Sequence, residues 1–175
     1  MPMITLFTEF CNPISQDFYD ITIASTQFHQ LTCSCGHSAC LTIHGYYNRS
    51  IKVEDSSVQL HICRVKCAYC GTTHALLLSS FVPYSQISLP DQIRIISCFE
   101  DSGDYSAIMD ETPSIDENNI YALIRRYISH WMQRIISASI SIHSSLSFVR
   151  QCFSSYQRQF MQIKRTPNIL FLKPT

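Results

Sequence analysis

The chain is poor in glycine, in charge and in uninterrupted apolar sequence. Only four of its 175 residues are glycine, and no P-loop, Rossmann, HExxH or GxSxG pattern occurs, which removes the common nucleotide-binding and hydrolase classes. Charged residues make up 15% of the chain, below the usual quarter. No apolar run reaches the roughly 18 residues that a membrane span needs. The first ten residues hold no Lys or Arg and include Glu9, unlike a secretory signal peptide, so a cytoplasmic protein without membrane contact is expected. What is present suffices for folding: 46% hydrophobic and 11% aromatic residues exclude a wholly disordered chain. The length allows one medium domain or two small ones.

A net charge of zero conceals segregation by sign. Residues 1–90 carry four basic and five acidic groups, and residues 91–117 set Arg94 against eight acids. Residues 118–175 carry eight basic groups, among them Arg125, Arg126 and Arg134, and no Asp or Glu. Such a stretch suits a polyanion, nucleic acid above all. The alternative is that the preceding acidic segment packs against it.

Six of the nine cysteines fall between Cys33 and Cys70. Cys67-Ala68-Tyr69-Cys70-Gly71 is a CxxC followed by glycine, the spacing that lets two thiolates reach one metal ion through a tight turn. Its mate upstream is Cys33-Ser34-Cys35-Gly36, one residue shorter, for which Cys40, Cys63, His37 and His44 are possible substitute ligands. Between the two lie strand-like segments, Leu41–Tyr47, Ile51–Val53 and Val58–Cys63, with a turn at Glu54–Ser57. Two knuckles bracketing a hairpin describe a zinc ribbon in which Cys33, Cys35, Cys67 and Cys70 hold a structural Zn2+. Four thiolates close the coordination shell and leave no position for a catalytic water. A thioredoxin-type redox pair would need a βαβ setting that the pattern lacks. Cys11, Cys98 and Cys152 are expected to be buried structural thiols, and His74 is a candidate to cover the metal knuckle.

Residues 72–90 read as a connector limited by Pro83 and Pro90. A helix follows with Ser88 as its N-cap, an apolar face of Ile93, Ile96 and Phe99, and a stop at Gly103. Asp104 caps a short helix over 105–111, with Ala107 and Ile108 inward, ended by Thr112-Pro113. Ser114-Ile115-Asp116-Glu117 has the form of a capping box and opens a third helix, about 115–135. Its apolar stripe is Ile120, Ile124, Tyr127, Ile128, Trp131 and Ile135. Its polar face holds Asn118, Asn119, Tyr121, Ala122, Arg125, Arg126 and Ser129. Three helices with a tight break before the third match a helix-turn-helix, and Asn and Arg on its reading face can bond adenine and guanine edges. Beyond it lie a serine-rich stretch over 137–147, an amphipathic basic helix over 148–164 and an apolar tail.

The expected class is therefore α+β: a small β zinc ribbon (30–80) and an all-α helix-turn-helix module (88–135). A 1–29 extension precedes them, and a C-terminal segment (136–175) adds another helix. The elements Cys33-x-Cys-Gly36, His44-Gly-Tyr-Tyr-Asn-Arg49, Arg64–His74 and Pro83-Tyr84, continued by the helices, resemble the zinc-ribbon and helix-turn-helix front end of bacterial transposases and their small stand-alone relatives. The resemblance covers about residues 30–135. It implies non-enzymatic binding of transposon-end or operator-like double-stranded DNA, with zinc supporting the fold. The polar helix face read above would supply Asn118, Asn119, Tyr121, Arg125 and Arg126 to the duplex, and Arg134 would contact phosphate. Catalysis is not expected, because no Asp or Glu follows Glu117 and an acidic triad needs three carboxylates. The rival expectation is a protein-interaction adaptor for a transposase or recombinase.

Overall fold

Continuous apolar runs of four to eight residues suit strands buried on both faces, and the chain's clearest one becomes the heart of its sheet. Thr73–Leu78 forms β4, with His74 through Leu78 all buried. It pairs in parallel with β1, Met3–Leu6, and antiparallel with β3, Ser56–Cys67. The long strand β2, Leu41–Val53, completes the order β1-β4-β3-β2. The computed structural model describes residues 2–8, 13–53 and 56–128, and over these the fold is α+β. The turn at Glu54–Asp55, Cys11, Cys152, Arg134, the third helix beyond Ile128 and everything assigned to 136–175 lie outside the described residues.

Two compact units divide the chain, one comprising 1–53 and 57–86, the other 54–56 and 87–175. The sheet belongs to the first. Residues 1–29, read above as an extension, supply this unit with β1 and with helix α1, Gln16–Ser25, capped by Ser15. Tyr19 of α1 is fully buried. Its hydroxyl donates to the Leu76 carbonyl (3.0 Å) and accepts from the Cys63 N–H (2.8 Å), while its ring stacks on Phe81. A buried phenol is favourable only when its oxygen is satisfied, and here one oxygen ties α1 to two strands. Residues 72–90 are therefore not a plain connector. The residues Thr73–Leu78 lack alternation because both faces of this inner strand are covered, a pattern that a period-two search passes over.

In the second unit, α2 spans Leu89–Ser102. Ser88 Oγ accepts from the Asp91 N–H (3.2 Å) and donates to its carboxylate (2.6 Å), and Arg94 neutralises the buried Asp91 at 2.9 Å. Gly103 ends the helix in the left-handed region at φ 65°, where glycine pays no Cβ penalty. The buried face is Leu89, Gln92, Ile95 and Ile96, while Ile93 and Phe99 are half-buried. That shift leaves Cys98 half-buried as well, not enclosed as expected.

Helix α3, Tyr105–Glu111, is capped by Asp104, and Ile108 points inward. Helix α4, Glu117–Arg126, starts at Asp116, whose carboxylate accepts from the Asn119 N–H. The expected capping box at Ser114 is thus displaced by two residues, because a carboxylate is as good a cap as a hydroxyl and it stands nearer the apolar run. Ile115 and Ile120, both buried, occupy the positions of a hydrophobic staple across that cap. Helix α2 packs on both α3 and α4, and the Tyr127 hydroxyl donates to Glu100.

Candidate metal centre

Two short turns build the centre, and the same hydrogen bonds close both. In the first, Gly36 N–H donates to Cys33 O (2.9 Å) and Cys33 N–H to His37 O (2.9 Å). In the second, Gly71 N–H donates to Cys67 O (3.0 Å) and Cys67 N–H to Thr72 O (3.0 Å). Gly36 (φ 89°) and Gly71 (φ 68°) both take positive φ. The shorter CxC spacing thus loses one residue from the turn without losing its closure.

The Sγ atoms of Cys33, Cys35, Cys67 and Cys70 all lie within 4.8 Å of one another. A tetrahedral ion with metal–sulfur bonds of 2.3 Å separates its sulfurs by about 3.8 Å. Cys35 and Cys67 stand 3.8 Å apart, and Cys33 and Cys70 3.5 Å. The four residues named from the sequence are therefore the four that converge, and they could hold a metal ion. In each turn the first thiol is buried and the second exposed.

The electrostatics of the two turns differ. The Cys70 N–H, with further help from the Cys40 thiol and the Tyr69 N–H, brings the Cys67 thiol down to about 6. The Thr72 hydroxyl and N–H lower that of Cys70. At Cys35 the His37 N–H pulls downward, but the Cys33 thiol, desolvation and then the Cys70 and Cys67 thiols outweigh it and push the group to about 12. Crowded thiolates repel one another, and a bound cation reverses that sign.

Three side chains surround the four. His74 is buried, and burial lowers its pKa, which favours a neutral ring; Nε2 lies 3.1 Å from Cys33 Sγ, in position for an N–H···S hydrogen bond. His37 Nδ1 lies 3.4 Å from Cys35 Sγ. Cys40, a buried fifth thiol, sits 3.4 Å from Cys67 Sγ and donates to His37 O; burial pushes its thiol up. Of the proposed substitutes, His37 and Cys40 adjoin the centre without joining the mutual group, Cys63 lies in the core beneath Tyr19, and His44 is exposed on β2.

The other quoted motif elements meet elsewhere in the sheet unit. Gly45 has φ 143°, with the Arg64 guanidinium 3.5 Å from where its Cβ would be. Arg49 donates to the carbonyls of Val82 and Ser85, 2.7 Å each, and so clasps both ends of the Pro83-Tyr84 turn. No local sequence signal announces that clasp, since 33 residues separate the arginine from its first acceptor.

On α4, Asn118, Asn119, Tyr121, Arg125 and Arg126 are all exposed, opposite buried Ile120, Leu123, Ile124 and Tyr127. Ile128, expected inward, stands at the exposed margin. Tyr121 is partly engaged. Its ring lies 4.8 Å from that of Tyr105, which in turn meets Phe99, and Glu117 accepts its hydroxyl hydrogen bond and raises its pKa.

These features define a small α+β protein with a four-cysteine site suited to a metal ion, and no helix among the described residues is long and apolar enough to cross a membrane. Residues 32–116 match a family described as a domain of unknown function, DUF6431. That match takes in both knuckles, the inner strands, α2, α3 and the cap of α4. No curated protein and no solved structure matches the chain.

Proposed function

We propose that this is a non-enzymatic DNA-binding protein related to the front end of transposases. Its sheet unit acts as a zinc ribbon and its α2–α4 unit as a helix-turn-helix, with α4 as the reading helix. Four thiolates in a tetrahedral array suit zinc, and the ion would brace the ends of β3 and β4. The observation that carries the reading is the division of α4 into an apolar face, buried, and an exposed face of Asn118, Asn119, Arg125 and Arg126. Those side chains can bond base edges and phosphates, and the basic groups that follow, Arg134 included, would add phosphate contacts.

One observation favours the adaptor reading instead. Asp101, Asp104, Asp110, Asp116 and Glu117 are all exposed, a surface that repels phosphate and suits a basic protein such as a transposase or recombinase. Duplex binding measured by fluorescence anisotropy separates the two. With four or five phosphate contacts, log K falls with log salt at a slope of about −4. Arg126→Ala should weaken binding and flatten that slope by about 1. Absence of duplex binding at low salt, with a folded protein, defeats the DNA reading.

A further inference from the structure

Where the two knuckles come together, they present a pair of aromatic rings to solvent. Tyr69 lies between Cys67 and Cys70, and His37 follows Gly36, so each turn of the metal centre contributes one ring. The rings stack with centroids 4.3 Å apart and planes 18° from parallel. Tyr69 is 70% exposed, so the stack supports no core. It is nevertheless held in place, because His37 Nδ1 approaches Cys35 Sγ and His37 O accepts the N–H of Cys33. The surrounding sequence holds no acid from Ile21 to Val53 or from Ser56 to Pro90. Lys66, exposed at the end of β3, directly precedes the second knuckle.

An exposed, pre-oriented aromatic ring on a sequence segment without acids, with an exposed lysine beside the knuckle, fits one ligand chemistry closely. A nucleobase offers a π-face of matching size, and the adjoining phosphate offers an anion to Lys66, which forms no ion pair among the described residues. We infer that the His37–Tyr69 stack is a platform for an unpaired base of single-stranded DNA. This rests on the DNA-binding reading and adds to it a second contact, distinct from the duplex-reading face of α4. Base pairs in a duplex keep their faces covered by stacking, so the platform selects unpaired or flipped bases.

The test uses the full chain loaded with zinc and a fluorescently labelled oligodeoxythymidylate, with anisotropy as the readout and a duplex as the second probe. Tyr69→Ala should weaken oligonucleotide binding about tenfold. Tyr69→Phe, which keeps the π-face, should bind like the wild type, and Tyr69→Leu, which keeps apolar bulk only, should fall with Ala. Metal content and duplex affinity should stay unchanged in all three. The platform is overturned if Tyr69→Ala binds the oligonucleotide as tightly as the wild type, or if the wild type binds duplex and no oligonucleotide; either result leaves the reading of α4 standing. A wild-type protein that binds neither probe removes the DNA reading and the platform together.

Discussion

The two knuckles reach the same geometry from unequal sequences. Cys33 to Gly36 closes as a three-residue step and Cys67 to Gly71 as a four-residue step, yet each buries its first thiol and exposes its second. Electrostatically they part company. The Cys70 N–H favours the Cys67 thiolate and the Thr72 hydroxyl that of Cys70, whereas at Cys35 the neighbouring thiols and desolvation outweigh the His37 N–H. Both turns spend the same two bonds on closure and both aim an N–H at sulfur, but at Cys35 that N–H is outweighed. Cys67 and Cys70 thus ionise more readily than Cys35, whose thiolate a bound cation would stabilise.

The largest expected effect sharpens that asymmetry. Structural zinc contributes an apparent 10–16 kcal/mol in small modules, roughly the whole stability of a domain. Chelation should therefore unfold the sheet unit, seen as loss of β signal in circular dichroism with one equivalent of metal released. Cys67→Ser should do the same, because it removes a buried ligand whose thiol is lowered toward ionisation by the Cys70 N–H. Cys35→Ser should retain metal at reduced affinity, since the lost ligand is exposed and His37 stands beside the vacated position. Equal loss of metal in the two variants would contradict the proposed division of labour.

How far the sequence disclosed this arrangement depends on the range of each interaction. The four thiols were legible because knuckle spacing is a local property, and so were the caps Ser88, Gly103 and Asp104. The start of α4 was misplaced because Ser114 and Asp116 are both good caps only two residues apart. The strand β4 was hidden because complete burial erases alternation. The pairing of β1 with β4 was out of reach, since Leu6 meets Leu78 and nothing in either segment names the other. Likewise the surroundings of the thiols, His74 on Cys33 and Cys40 on Cys67, are products of the sheet, which brings residues from three strand ends to one place.

A middle-sized effect belongs to His74, which serves the first knuckle from β4. Its Nε2 stands 3.1 Å from Cys33 Sγ and, in the tautomer with the proton on Nε2, donates to that buried sulfur. Removal of a donor that orients a metal ligand costs 10–100-fold in affinity in typical sites. His74→Phe should lower metal affinity by that order, measured by competition with a chromophoric chelator, while His74→Gln should recover part of it if its amide reaches the sulfur. A fall equal to that of Cys67→Ser would make His74 a ligand in its own right.

The smallest effect examines the closure that the knuckles share. A Cβ built on Gly36 or on Gly71 meets nothing within 4 Å, so alanine at either position adds no clash. What remains is the positive φ, which costs an L-residue roughly 1–2 kcal/mol. Gly36→Ala and Gly71→Ala should therefore destabilise the sheet unit about equally, read by chemical denaturation of the metal-loaded protein, with stoichiometric metal retained. Losses of comparable size are the informative result, because the two turns differ in length and in thiol ionisation while both glycines take positive φ, 89° and 68°. A much larger loss at Gly36 would mean that the shorter turn is strained beyond its glycine, and the equivalence of the two closures would then fail.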